Sequence, residues 1–470
     1  MEKRLITIVV ALFILIQLAA CAPAATPAAP AQPAAPEQPA APAQPTAPAQ
    51  PAAPEQPAAA PAATTYPEIV VACWSGPEHD NLVKLAEAYT QKTGNPVVVE
   101  EIAREAYYDK LTTTFIAGSD DYDAAYIMSD WPPAWVKAGA LKDLDTFIND
   151  PKVVSPDFKM EVFEPSIDYF KFDGKVYAFP SEGDTAWLWY RKDLLEAKGL
   201  QVPKTWDEYL EAARKLNDPA NGVYGALIAA KPDEAFWDFM YYFFSFGGQI
   251  LDENNNVTIN SEAGVAALEF YVNLLKEGLT PPDVATYGYN EVLTTLQEGK
   301  AAMGVQWMAA TMTLTDCTQS PKVCKDGQPL LGYAHIPNYV GKDGKEVDAT
   351  GGSQWGWAIP SGSKNQEAAY KFIEWLTSKE GAKMWAFNGG IPGNNEALAD
   401  PEVVEKIPQF KMLAEAMPNR HIFPPTTVTS ELVTAFNEGI VAAVTGVKQP
   451  KQALDDAAAK MTELLKSAGY

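Results

Sequence analysis

Only three histidines and four cysteines occur in 470 residues. His79, His335 and His421 are scattered, and the chain has no HExxH, Cys-x-x-Cys or phosphate-loop pattern. The motif-borne forms of zinc, redox and nucleotide chemistry are therefore unsupported. Basic charge is also short: 36 Lys and Arg face 60 Asp and Glu, a formal net charge of −24. Nucleic acid requires a basic footprint, so it is excluded as a partner. The acidity does not choose among neutral and cationic small ligands. Long apolar runs are missing too. The longest, Leu5 to Leu18, falls short of the ~20 residues a helical span needs. Asp252 to Asn256 has the look of a calcium loop, but Val257 replaces the sixth-position Gly and Ala263 the twelfth-position acid, so it reads as a turn.

What is present begins at the N-terminus. Lys3 and Arg4 precede the short apolar run, and small residues follow it, which is the pattern of a secretory signal. Leu18-Ala19-Ala20-Cys21 resembles the lipobox of bacterial lipoproteins. That resemblance implies cleavage after residue 20, lipid on Cys21, and a protein tethered to the outer face of the cytoplasmic membrane. In a host with an outer membrane, this is the periplasmic side. Residues 21–65 follow as a linker of almost only Ala, Pro, Gln, Glu and Thr, with a proline at every third position from Pro27 to Pro57. Three residues per turn is the polyproline II repeat, so these prolines line one face of an extended spacer. Such a segment cannot bury a core.

Residues 66–470 are globular in composition and long enough for two lobes. Ile69 to Trp74, Pro96 to Ile102 and Asp123 to Met128 read as strands. Two helices separate them, ended by Gly94 and Gly118, with Ser75 expected to cap the first and Glu78 three residues on. This βαβαβ order implies a parallel sheet. Ligands of such sheets bind beyond the carboxyl ends of the strands, which points to Trp74, Ser75, Glu78, Asp130 and Trp131. Further helices are expected after Thr205, over Ser261 to Lys276, Gln366 to Thr377 and Gln452 to Ser467. Cys317 and Cys324 bracket a short polar segment and can close a disulfide loop in an oxidising compartment. Cys73, inside an apolar strand, reads as a buried inert thiol.

Gly174 to Pro180 followed by Asp184 to Asp193 resembles a segment of the family 1 extracellular solute-binding proteins, the sugar-binding components of bacterial ABC importers. Pro203 to Glu208, Gln297 to Met303, Trp357 to Pro360 and Phe372 to Thr377 agree, in family order. The resemblance implies an α/β fold of the periplasmic-binding-protein (Venus-flytrap, type II-like) kind, two lobes with the ligand in the cleft between them. It places one lobe at 66–182 and 308–374 and the other at 183–307 and 375–470. Crossings are expected near Phe179 to Asp184, near Met303 to Trp307 and around Phe372. It implies a monomer that closes on its ligand and docks on membrane permease subunits driven by an ATPase. It implies no cofactor and no catalysis.

A sugar offers hydroxyls and apolar C–H faces, so its pocket combines Asp, Glu or Arg with Trp or Tyr. Asp184, at the first crossing, is the leading ligand carboxylate, followed by Asp130 and Glu78 at strand ends. Arg104 follows the second strand and can donate to a sugar oxygen. Trp307 and Trp355 are the expected stacking platforms, and Gly352 beside Trp355 allows close backbone approach to a ligand. Trp237 lies in an aromatic stretch mostly claimed by packing. Arg420 belongs to a late segment that reaches back to the cleft in family members. Trp187 and Trp189 are expected to face opposite ways. The competing readings are the same scaffold holding a polyamine, a glycerol phosphate or a peptide, a surface glycosidase with two cleft carboxylates, and a passive adhesin.

Overall fold

β-branched runs set the first sheet. In the computed structural model, which describes residues 65–470, Ile69–Trp74 (β1) pairs in parallel with Val97–Ile102 (β2) on one side and Ala124–Met128 (β3) on the other. The signal, Cys21 and all but the last residue of the linker lie outside the described residues. Helices Pro77–Thr93 (α1) and Arg104–Ile116 (α2) make the connections, as the sequence pattern requires. Gly94 ends α1 with φ 77° and its N–H on the Thr90 carbonyl. Ser75 does not cap α1. The cap position is Gly76, at φ 133°, and Pro77 opens the first turn, where its missing N–H costs nothing.

The sheet continues through a 14-residue strand, Ala178–Arg191 (β4). Its first half pairs antiparallel with Thr350–Ala358 (β7), which in turn pairs with β3. Its second half pairs with Met303–Trp307 (β5) and Leu331–Ala334 (β6). The eight-stranded order is β6-β4-β7-β3-β1-β2, with β5 also on β4 and Arg420–His421 (β8) on β7.

Three apolar clusters follow this path. The first gathers β1 to β3, Phe179, Trp355, Phe372 and Trp385. The second gathers Ala186 and Leu188 with the helices Trp206–Leu216 (α3), Ala235–Ser245 (α4), Glu262–Lys276 (α5), Thr429–Val444 and Pro450–Ala468. The third gathers Trp187 and Trp189 with Leu227, Met308, Leu314, Val323 and Leu331. Trp187 and Trp189 therefore share a face, as residues two apart in a strand must.

The first passage between clusters is β4, with Phe179 in the first cluster and Ala186 in the second. The second is not at Met303 to Trp307: Met308 to Leu331 still pack beside Trp187, and the chain returns to the first cluster along β7. The third is not at Phe372, which is fully buried in the first cluster; it falls between Trp385 and Ile391. At the second passage the chain is carried across by β7, which pairs along its length with β4, and that pairing is long-range.

The helix signals hold elsewhere. Thr205 and Glu208 form a reciprocal capping box on α3, and the Ser261 side chain caps α5. Cys317 and Cys324 are joined, with Cα atoms 5.5 Å apart. Cys73 is fully buried, and burial pushes its thiol well above its ordinary range. Asp252 accepts the N–H groups of Asn254 and Asn256, which makes the calcium-like stretch a turn.

Candidate functional site

β4 delivers two carboxylates at the crossing. The register with β7 shifts at Trp355, so Ser181 bulges out and Glu182 and Asp184 stand opposite Trp355 and Ser353. Bulges re-aim side chains where a sheet meets a site. Asp184 is 4% exposed and Glu182 5%. The Thr185 N–H donates to Asp184 Oδ1 at 2.7 Å, and the Tyr126 hydroxyl donates to Glu182 Oε2 at 2.9 Å. Glu78, in the first turn of α1, accepts from the Trp74 indole N–H at 3.1 Å.

Burial drives both Glu182 and Asp184 well above the usual carboxylate range. The negative charges of Asp184 and Glu78 push Glu182 further up; the Thr185 N–H and the Arg420 guanidinium partly offset the rise at Asp184. Asp130 is buried, its Oδ1 meets no donor, and desolvation raises it to about 7. It is not a helix cap, since the cap position of Pro132–Lys137 is Trp131. Among the described residues, Glu78, Asp130, Glu182 and Asp184 form no ion pair with Lys or Arg. Unpaired carboxylates in a low-dielectric site demand hydrogen-bond donors.

Trp355 closes one wall. Its ring stacks on Tyr126 at 4.9 Å and meets Trp74 at 4.2 Å and Trp131 at 5.5 Å. The Arg104 guanidinium lies 4.2 Å over Trp74 and 5.9 Å from the Tyr289 ring, which belongs to the helix Tyr289–Gln297. Trp307 is half-buried, tilted edge-on to Tyr241 at 5.1 Å. The structure thus gathers Asp184, Glu78, Trp355 and Arg104 around the crossing.

Three residues expected there do other work or sit apart. Arg420 is buried, and its guanidinium donates to the carbonyls of Asp184 and Ser353 and to Gln354 Oε1. It ties β4 to β7 rather than reaching out. Gly352 is small for the same reason: a Cβ there would stand 2.4 Å from Arg420 Cδ and 2.4 Å from the Asp184 carbonyl oxygen. The close approach is by protein. Trp237 is half-buried against Phe236 at 5.1 Å. Glu182 was missed, although residues two apart on a strand share a face and Ser181-Glu182-Gly183-Asp184 displays that spacing.

Shallow surface hollows lie elsewhere, one lined by Met308, Met312 and Phe410, another by Pro180, Thr377 and Trp385. Neither includes these carboxylates, over which the chain is closed. Among the described residues, no group of three His, Cys, Asp or Glu is placed to hold a metal.

A mannitol-binding protein of Pseudomonas aeruginosa is 28% identical over 403 residues, 80% of this chain and 86% of that protein. A probable amino-acid ABC transporter periplasmic-binding protein of Sinorhizobium fredii is 25% identical over 406 residues, 84% of this chain and 89% of that one. The structure resembles, with a TM-score of 0.72 and 28% identity, an ABC transporter solute-binding protein from Agrobacterium radiobacter K84 in complex with ribitol, over 84% of this chain and 98% of that chain. The sequence model of the bacterial extracellular solute-binding protein matches residues 75–383. That match covers well over half of the sequence, and the chain belongs to the bacterial extracellular solute-binding protein family.

Proposed function

We propose that this protein captures a sugar or polyol outside the cytoplasm and hands it, unchanged, to the permease of an ABC importer. One observation carries the choice of ligand: Glu78, Glu182 and Asp184 converge at the crossing, buried or half-buried, without a cationic partner. Each already accepts one hydrogen bond within the protein, hydroxyl groups of a ligand supply further donors, and charge-assisted bonds are the stronger kind. The mannitol and ribitol in the names of two similar proteins fit this chemistry. A phosphate ligand does not, since it would meet several acids and only the Arg104 guanidinium. The amino-acid transporter among the relatives keeps a zwitterion as the second reading.

The lobes in this reading are residues 66 to about 181 with 353 to 385, and about 183 to 352 with 386 to 470. The signal pattern and Cys21 support a lipid anchor at the outer face of the membrane, with the proline-rich linker as spacer. The protein works as a monomer, and its cleft acids bind rather than catalyse.

A thermal-shift series with D-mannitol, ribitol, maltose and amino acids tests this. A ligand at 100 times its Kd adds about 2.7 kcal/mol of stability. A shift with one hydroxylated class, abolished in Asp184→Ala, is the expected result. A shift with amino acids alone would replace the sugar reading by the second one.

A further inference from the structure

The helix Ala235–Ser245 is aromatic nearly throughout, yet its faces differ. Phe236, Phe239, Tyr242 and Phe243 pack into the second core against Phe436 and Tyr271. Trp237, Asp238 and Tyr241 stand at helical spacing on another face. The helix lies against β7, where a Cβ on Gly351 would touch Met240 at 3.0 Å. Tyr241 is thereby carried to the crossing.

Tyr241 is 1% exposed and its hydroxyl has no hydrogen-bond partner. An unsatisfied buried hydroxyl is destabilising. Two other buried tyrosines, Tyr209 and Tyr242, also lack a bonded partner, but their hydroxyls influence each other. Tyr241 differs: its ring meets the Trp307 ring edge-on at 5.1 Å, and, beyond burial itself, Asp184, Asp238 and Tyr289 lie near enough for their charges to push its hydroxyl pKa up. Asp184 and Tyr289 belong to the site already described.

We propose that the Tyr241 hydroxyl binds the ligand, donating to a ligand hydroxyl that itself donates to the Asp184 carboxylate. This deepens the sugar or polyol reading and rests on it. The pairing selects a functional group. An ammonium cannot accept from Tyr241, and an ether oxygen cannot donate to Asp184; a hydroxyl does both. The site therefore reads one hydroxyl of its ligand at both hydrogen-bonding faces.

The test uses Tyr241→Phe, which keeps the ring and its contact with Trp307. Kd is measured by calorimetry for whichever of D-mannitol, ribitol or maltose the wild-type protein binds most tightly. The variant is expected to bind about 10- to 100-fold more weakly, while its ligand-free melting temperature is unchanged or higher. Binding within twofold of wild type overturns the inference and leaves the sugar reading intact. Should wild type bind no carbohydrate or polyol, the reading falls and the inference with it. Should the variant fail to fold, wild-type protein is titrated with ligands carrying a single hydrogen or O-methyl replacement at each hydroxyl. One position must then lose at least tenfold with both replacements; tolerance of O-methylation at every position overturns the proposal.

Discussion

Asp130 holds a carboxyl oxygen that meets no donor inside a buried rim, and burial lifts it to about 7. The ordinary value is 3.8. Between these values the folded protein keeps a proton that the unfolded chain has lost. The native state then binds more protons, so stability falls as pH rises through this window and is fully present only below the unfolded value. Three pKa units at 1.36 kcal/mol each set about 4 kcal/mol as the ceiling. Asp130→Asn removes the ionisation and keeps the shape. The variant is expected to melt higher than wild type at pH 8 and at the same temperature near pH 3.5, in melting curves recorded across that range. Glu182 and Asp184 are pushed the same way, so the variant keeps a residual slope. Equal melting curves for variant and wild type at pH 8 would mean that Asp130 is hydrated and not desolvated.

The strand pair at the crossing decides how the two cores are joined. β4 and β7 run antiparallel from Ala178 to Thr185, and Arg420 fastens them through the Asp184 and Ser353 carbonyls. Gly352 makes room for that guanidinium stem. Gly352→Ala puts a methyl against a backbone oxygen that cannot yield without moving the strand. Overpacking of this kind costs about 1–3 kcal/mol. Denaturant unfolding should show that loss, and ligand affinity should fall as well because Asp184 is displaced; full affinity in the variant would mean that Arg420 gives way instead. These features also mark where sequence reasoning stops. The βαβαβ start, the Gly94 stop and the Thr205 cap are local signals and were legible. Asp184 was legible through the family segment. Glu182 was available from spacing alone and overlooked. The passage along β7, the burial of Arg420 and the reason for Gly352 depend on partners at least 66 positions away in the chain, which no local pattern carries.

At the scale of the whole molecule, Glu182 and Asp184 are buried and, among the described residues, in no direct ion pair, with the Arg420 charge only partly offsetting the rise at Asp184. Closure with Glu182 and Asp184 both ionised is costly, because two like charges are desolvated together. Two things relieve that cost. A ligand can supply the donors, or protons can neutralise the acids. Opening the lobes to water is the alternative when neither is present. The ligand-free protein at pH 8 is therefore expected to be open, and small-angle scattering should show its radius of gyration fall when a binding sugar or polyol is added. Acidification toward pH 5 should bring the ligand-free protein part of the way to the same radius, since it neutralises the raised carboxylates before ordinary surface acids titrate. Glu182→Gln supplies the control: it removes one of the two charges, so the variant should already be more compact at pH 8 and change less on acidification. A radius that responds to ligand but not to pH would assign closure to ligand contacts alone and leave the buried acids no part in holding the cleft open.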